Sequence, residues 1–215
     1  MTAKFATLAF ATALLSAASI AKPAPKAPNV DAPSGAYTLD KSHATFVLGV
    51  DHLGFSNYRM TFTEWDVSLN LDVAKPENSS VLATISAPSL YLQGAPKGFK
   101  EEILGPNWLN AGKHPFISFK STKIVRSGLS AARVTGDLTM NGITKPVTMK
   151  VRFNGAYVGH PMDPNARAGF SGEGVFKRSD FGIAAGIPKP GSKMGVGDDV
   201  NFSFEAELSG PPMKQ

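Results

Sequence analysis

The side chains that could do chemistry are few and badly spaced for it. The four histidines are His43, His52, His114 and His160. His43 and His52 stand an odd number of positions apart, so on a regular strand they point to opposite faces. His114 precedes a proline and His160 sits in a proline-rich stretch. No two histidines have the i, i+2 spacing that places two imidazoles on one face of a strand, and there is no cysteine to supply a thiolate. No metal site is therefore expected. Gly195-Val-Gly197 lacks the third glycine of a dinucleotide loop and leads into a strand rather than a helix. Gly169-Phe-Ser171-Gly172 has the wrong spacing for a nucleophile elbow. Glu64 and Asp66 share a strand face, but they alternate with Trp65 and Val67 and so face water. Arg178 and Asp180 read as an ion pair that pins a turn, with ligand contact as the competing reading. No catalytic residues and no cofactor are expected, and the chain reads as a non-enzyme.

The elements that would carry these residues are strands. Asn141-Gly142 is a strong hairpin signal, because both residues tolerate the positive φ of a type I′ turn. Val134, Leu138 and Met140 alternate with polar or small residues before it, and Val147, Met149, Val151 and Phe153 alternate with Thr148, Lys150, Arg152 and Asn154 after it. Such period-2 patterning marks antiparallel strands with one apolar face. The same pattern places Phe46, Leu48 and Val50 on one face of a strand from Tyr37 to Val50. Tyr58, Met60 and Phe62 continue it, and the phase then shifts to Trp65, Val67, Leu69 and Leu71, as a β-bulge would produce. Further strands carry Val81, Ala83 and Ile85; Ile117 and Phe119; Phe170, Gly172, Gly174 and Phe176; and Phe202, Phe204, Ala206 and Leu208. The one helical stretch lies between Pro96 and Gly112, where Phe99, Ile103 and Leu104 have helical spacing and Gly105-Pro106 stops it. About eight strands and one short helix fit a sandwich or a closed barrel. Long consecutive strands and the internal phase shift favour an eight-stranded antiparallel barrel, which encloses room for side chains or one small ligand.

The N-terminus reads as an address. Lys4 precedes an apolar run from Phe5 to Leu15, and Ser19-Ile20-Ala21 offers small residues at the positions a signal peptidase reads. The run is too short to span a bilayer. Residues 1–21 are expected to be a cleaved signal peptide, 22–35 a Pro/Ala-rich tether, and 36–210 the folded domain, with a periplasmic location. The whole chain of 215 residues carries a formal charge of +5, and the signal segment holds one of the lysines and no acid. No nucleic-acid partner is expected.

Four segments stand out in order: Tyr37-Thr-Leu-Asp40-Lys-Ser-His43 followed by His52-Leu-Gly-Phe-Ser56; His114 to Thr122; Gly136 to Val147; and Arg178-Ser-Asp-Phe-Gly-Ile183 with Val196-Gly-Asp-Asp-Val200. Taken together they resemble the YceI-like family. The departures are Ala44 after the first histidine, Met60 in the second strand, and Glu101-Glu-Ile-Leu104, which lacks the histidine usual in the helical segment. The resemblance implies an exported, lipocalin-like barrel that binds a polyisoprenoid or related long-chain lipid as carrier or store. The apolar-phase positions expected to line its tunnel are Phe46, Leu48, Val50, Met60, Phe62, Ile117, Phe119, Met149, Val151, Phe170, Phe176, Phe202 and Phe204. The partner is then a long-chain isoprenoid or acyl lipid, with a transient envelope protein as a second. Lys41, Arg59, Lys97, Lys100, Arg178 and Lys189 fall near expected strand ends, as a basic rim for a phosphate head or as ordinary surface charge. The alternative is a structural or interaction module of the envelope with a filled core.

Overall fold

The structure is a computed structural model that describes residues 31–213. The signal segment, and the tether up to residue 30, lie outside the described residues. The described chain forms ten strands in order: β1 (Gly35–His52), β2 (Ser56–Phe62), β3 (Trp65–Leu71), β4 (Ser80–Ser86), β5 (Leu90–Tyr91), β6 (Phe116–Arg126), β7 (Ala131–Met140), β8 (Ile143–Tyr157), β9 (Asn165–Lys177) and β10 (Val196–Pro212). Among the described residues one short α-helix, α1 (Phe99–Leu104), lies between β5 and β6.

All pairings are antiparallel, and β10 returns to pair with β1 from Thr38↔Ser209 to His52↔Val196. This closes the sheet. β1 is long enough to pair with β3 through Gly35–Thr38 and with β2 through Val47–His52. β4 pairs with β3, and β5 with β2. Thus β2 with β3, and β4 with β5, each make one interrupted stave, and the closed wall has eight staves. The expected bulge between Phe62 and Trp65 is a full break in the strand. Ser89, buried in the turn Ala87–Ser89, fills it. Thr63 N donates to the Ser89 carbonyl (3.1 Å), Glu64 N donates to Ser89 Oγ (3.0 Å), and that hydroxyl donates to the Ser86 carbonyl (2.7 Å). A second irregularity falls between Leu39 and Ala44 in β1. The two breaks and the closure go together, since a closed sheet must bend sharply and bulges supply the bend.

The β7–β8 turn is as the sequence predicts: Met140 faces Ile143, and Asn141 (φ 52) and Gly142 (φ 74) both take positive φ. Asn141 Nδ2 donates to the Phe181 carbonyl at 3.0 Å, tying this turn to the one after β9. A Cβ on Gly142 would come within 2.6 Å of the His114 ring, so His114 abuts the turn. The helix lies where the spacing of Phe99, Ile103 and Leu104 places it: Phe99–Leu104 is α-helix, it stops at Gly105, and Gly105 to Lys113 continue as turns.

The upper end, for orientation, carries α1, Asn141-Gly142 and the chain from Arg178 to Val196. The lower end carries the connections after β3, β6 and β8. Apolar side chains gather at each end, around Leu48, Phe62, Leu90, Met140 and Phe181 above and around Tyr37, Leu69, Ala168 and Leu208 below. Between them the interior is open.

Candidate ligand-binding cavity

A cavity of about 900 Å³ runs through the barrel. Every apolar-phase position singled out in the sequence stands on its wall: Phe46, Leu48 and Val50 from β1, Met60 and Phe62 from β2, Ile117 and Phe119 from β6, Met149 and Val151 from β8, Phe170 and Phe176 from β9, and Phe202 and Phe204 from β10. Strict alternation explains this, because residues i, i+2 and i+4 of one strand share a face. The walls from β3 and β4 (Trp65, Val67, Val81, Ile85) and from β7 (Val134, Leu138) complete the ring. The same alternation would have identified them. Wall residues reach from His52, Phe99 and Trp108 at the upper end to Val73, Pro76 and Leu129 at the lower end, so the cavity extends along the barrel axis. Phe202 lies at 6.3 Å, ring centre to ring centre, from both Phe46 and Phe176.

Two charged residues stand on the wall: Arg126, exposed at the lower end, and, at the upper end, Arg178. The Arg178 side chain is 4% exposed. Nε donates to the Gly197 carbonyl (2.8 Å), Nη1 to those of Ile183 (3.0 Å) and Ala185 (2.7 Å), and Nη2 to that of Val196 (2.8 Å). The guanidinium carbon lies 5.1 Å from the centre of the Trp108 ring, a cation–π contact. Burial pushes its pKa down and nearby Asp198 opposes this; a guanidinium stays protonated regardless. The expected ion pair with Asp180 is corrected: among the described residues no ion pair joins them, and Arg178 pins the turn by donating to main-chain carbonyls instead. Asp198 holds the turn from the other side, accepting from Ser179 N (2.9 Å) and Ser179 Oγ (2.8 Å). Nothing in the sequence marks Arg178 as buried, because a lone arginine in a polar turn reads as surface.

The basic rim is thinner than the sequence reading. Arg59, Lys97 and Lys189 are exposed at the upper end and Lys100 lies half-buried on α1, but Glu101 and Glu102 share that helix. Lys41 is not at the upper end; it lies on the outer wall and pairs with Asp66 at 3.2 Å. Arg178 turns inward to its carbonyls.

The β1 irregularity builds a polar network on the outer surface. Arg167 Nη1 donates to Asp40, and Arg167 Nε to Asp163 (2.9 Å), which also accepts from the Tyr157 hydroxyl (2.7 Å). The Ser42 hydroxyl, Arg167 and His43 together hold the Asp40 carboxyl well below the usual carboxylate range. Asp40, His43 and Glu207 bring their ligating atoms within 4.8 Å of one another. This is the nearest approach to a metal-binding set among the described residues. The guanidinium already on Asp40 disfavours a second cation there.

A sequence model described as the YceI-like domain matches residues 37–208. The chain belongs to the YceI-like family. The UPF0312 protein of Pseudomonas savastanoi pv. phaseolicola is 36% identical over 204 residues, covering 93% of this chain and 94% of its own. The UPF0312 protein of Pseudomonas putida is 37% identical over 183 residues, covering 83% of this chain and 86% of its own. Among solved structures, Burkholderia cenocepacia BcnA superposes with a TM-score of 0.66 at 24% identity, over 79% of this chain and 98% of its own. A polyisoprenoid binding domain from Saccharophagus degradans superposes with a TM-score of 0.58 at 10% identity, over 81% of this chain and 98% of its own. At these identities the superpositions show a shared fold.

Proposed function

We propose that this YceI-like protein is an exported carrier or store that holds one long-chain lipid, a polyisoprenoid or a comparable acyl chain, along the barrel axis. The observation that carries this reading is the apolar cavity of about 900 Å³ that runs from one end of the barrel to the other. Burying a methylene contributes about 0.8 kcal/mol, so about ten of them reach the scale of a micromolar affinity before ordering costs. Apolar walls bind any chain that fits, so the head group adds little. The polyisoprenoid binding domain among the structural neighbours supports an isoprenoid as the chain. The signal-like segment Met1–Ala21 supports export, and the periplasm is the compartment proposed. The barrel works by binding alone, without catalysis or cofactor. An interaction module with a filled core fits less well, since the interior is open.

Native mass spectrometry of the protein purified from its own host tests the reading. A retained prenyl or acyl lipid, released on denaturation, is the expected result. Protein that is always ligand-free and takes up no added prenyl or acyl lipid would overturn it. Fractionation of the host decides the compartment, with mature protein beginning after Ala21 in the periplasmic fraction as the expected outcome.

A further inference from the structure

Glycine inside a strand weakens it and leaves a gap where a side chain would pack, so an inward-facing glycine calls for a reason. Gly172 and Gly174 occupy successive inward positions of β9, between the wall residues Phe170 and Phe176. Their partners across the ladder on β10 are Phe204 and Phe202. A Cβ on Gly174 would lie 2.4 Å from Cζ of Phe202, and one on Gly172 would lie 2.3 Å from Cζ of Phe204. Each ring therefore leans across its neighbouring strand and rests on bare backbone. β6 and β7 repeat the device, where a Cβ on Gly136 would come 2.4 Å from Cζ of Phe119. Rings seated in this way line the cavity without standing up into it. Neither Gly172 nor Gly174 has positive φ, so the backbone itself would accept alanine. At Gly174 alanine would displace only the ring; at Gly172 it would displace the ring and also crowd the Lys150 carbonyl, 3.1 Å away.

We propose that Gly172 and Gly174 set the bore of the cavity and thereby select the lipid: with the rings of Phe202 and Phe204 folded onto them, the bore admits a methyl-branched prenyl chain. A methyl on either glycine turns the facing ring to another rotamer, toward the axis, and leaves width only for a straight chain. This rests on the lipid-binding reading above and adds the residues that decide which chain is taken.

The test compares geranylgeraniol with a straight-chain alcohol of the same main-chain length, using purified, delipidated protein and displacement of an environment-sensitive fluorophore. Wild type is expected to bind both. Gly174→Ala should weaken the prenyl alcohol by about tenfold or more, the range one misplaced methyl commands in an apolar pocket, and leave the straight chain little changed. Adding Phe202→Leu to that variant removes the displaced ring and should restore prenyl binding. Gly172→Ala with and without Phe204→Leu repeats the comparison at the neighbouring glycine, should Gly174→Ala alone not fold. Equal weakening of both alcohols, no weakening of either, or no restoration in the double variants would overturn the proposal. So would a crystal structure of Gly174→Ala with the Phe202 ring still lying over β9. Wild type that binds neither alcohol would instead overturn the lipid-binding reading, and the selection with it.

Discussion

Arg178 is the residue whose replacement separates a structural anchor from a ligand contact. Arg178→Ala leaves the carbonyls of Ile183, Ala185, Val196 and Gly197 without their donors, and Trp108 without the cation over its ring. Hydrogen bonds to a charged group are worth about 1.5–3 kcal/mol each, so a plain sum over these four would be about 6–12 kcal/mol. The sum overshoots, because the chain from Ile183 to Val196 can relax and water can enter the vacated space. Removing one partner from a buried charged cluster typically costs about 3–5 kcal/mol, and that is the expected loss. For a domain of this size about 1 kcal/mol moves Tm by about 2–4 °C, so Arg178→Ala should melt about 6–20 °C below wild type. Arg178→Lys should recover only part of this, since an ammonium has no planar fork to reach carbonyls on two sides. The assay is thermal and urea unfolding of lipid-free protein followed by circular dichroism. Because a guanidinium does not titrate near neutrality, the deficit should be flat from about pH 6 to 9. A loss below about 1 kcal/mol, combined with a large fall in lipid affinity, would refute the anchoring role and make Arg178 a ligand group.

Phe202→Asp puts a carboxylate into the apolar wall and should abolish uptake of a prenyl probe, while Glu205→Lys, exposed on the outer face, should leave it unchanged; equal loss from both, in a fluorophore displacement assay, would show the faces exchanged. The Asp40 carboxyl is held below its ordinary value by Ser42, Arg167 and His43, so the stability it contributes is present above the unfolded value of about 3.9 and is lost as pH falls through the folded one. Wild type should therefore lose Tm steeply below about pH 4, and Asp40→Asn should start a few degrees lower and fall less; parallel Tm–pH curves would count against the Arg167–Asp40 link. Since the Arg178 fork is occupied by main-chain carbonyls and Glu101 and Glu102 share the upper end with the lysines, a prenyl alcohol should bind at least as tightly as its pyrophosphate, with little change between low and high salt. Calorimetry showing a strong, salt-sensitive preference for the pyrophosphate would restore the basic rim to recognition.

The local pattern determined which residues face inward and where one turn lies. Alternation assigns Phe46, Leu48, Phe202 and Phe204 to a single face whatever the strands pair with, and Asn141-Gly142 carries its turn in its own backbone preferences. The family segments from Tyr37 to Leu208 were likewise legible as a series. Tertiary structure alone decided the rest. Closure depends on β1 meeting β10, strands from opposite ends of the domain, and no local pattern encodes that partner. The break after Phe62 depends on Ser89, which reaches it only because β4 and β5 run alongside β2 and β3. Arg178 is buried because carbonyls from Ile183 to Gly197 converge on it, and a polar turn gives no sign of such convergence. An inward phenylalanine can fill a core or line a cavity, and the difference at Phe202 and Phe204 is made by the glycine opposite on β9, which becomes their neighbour only through the register of the folded sheet.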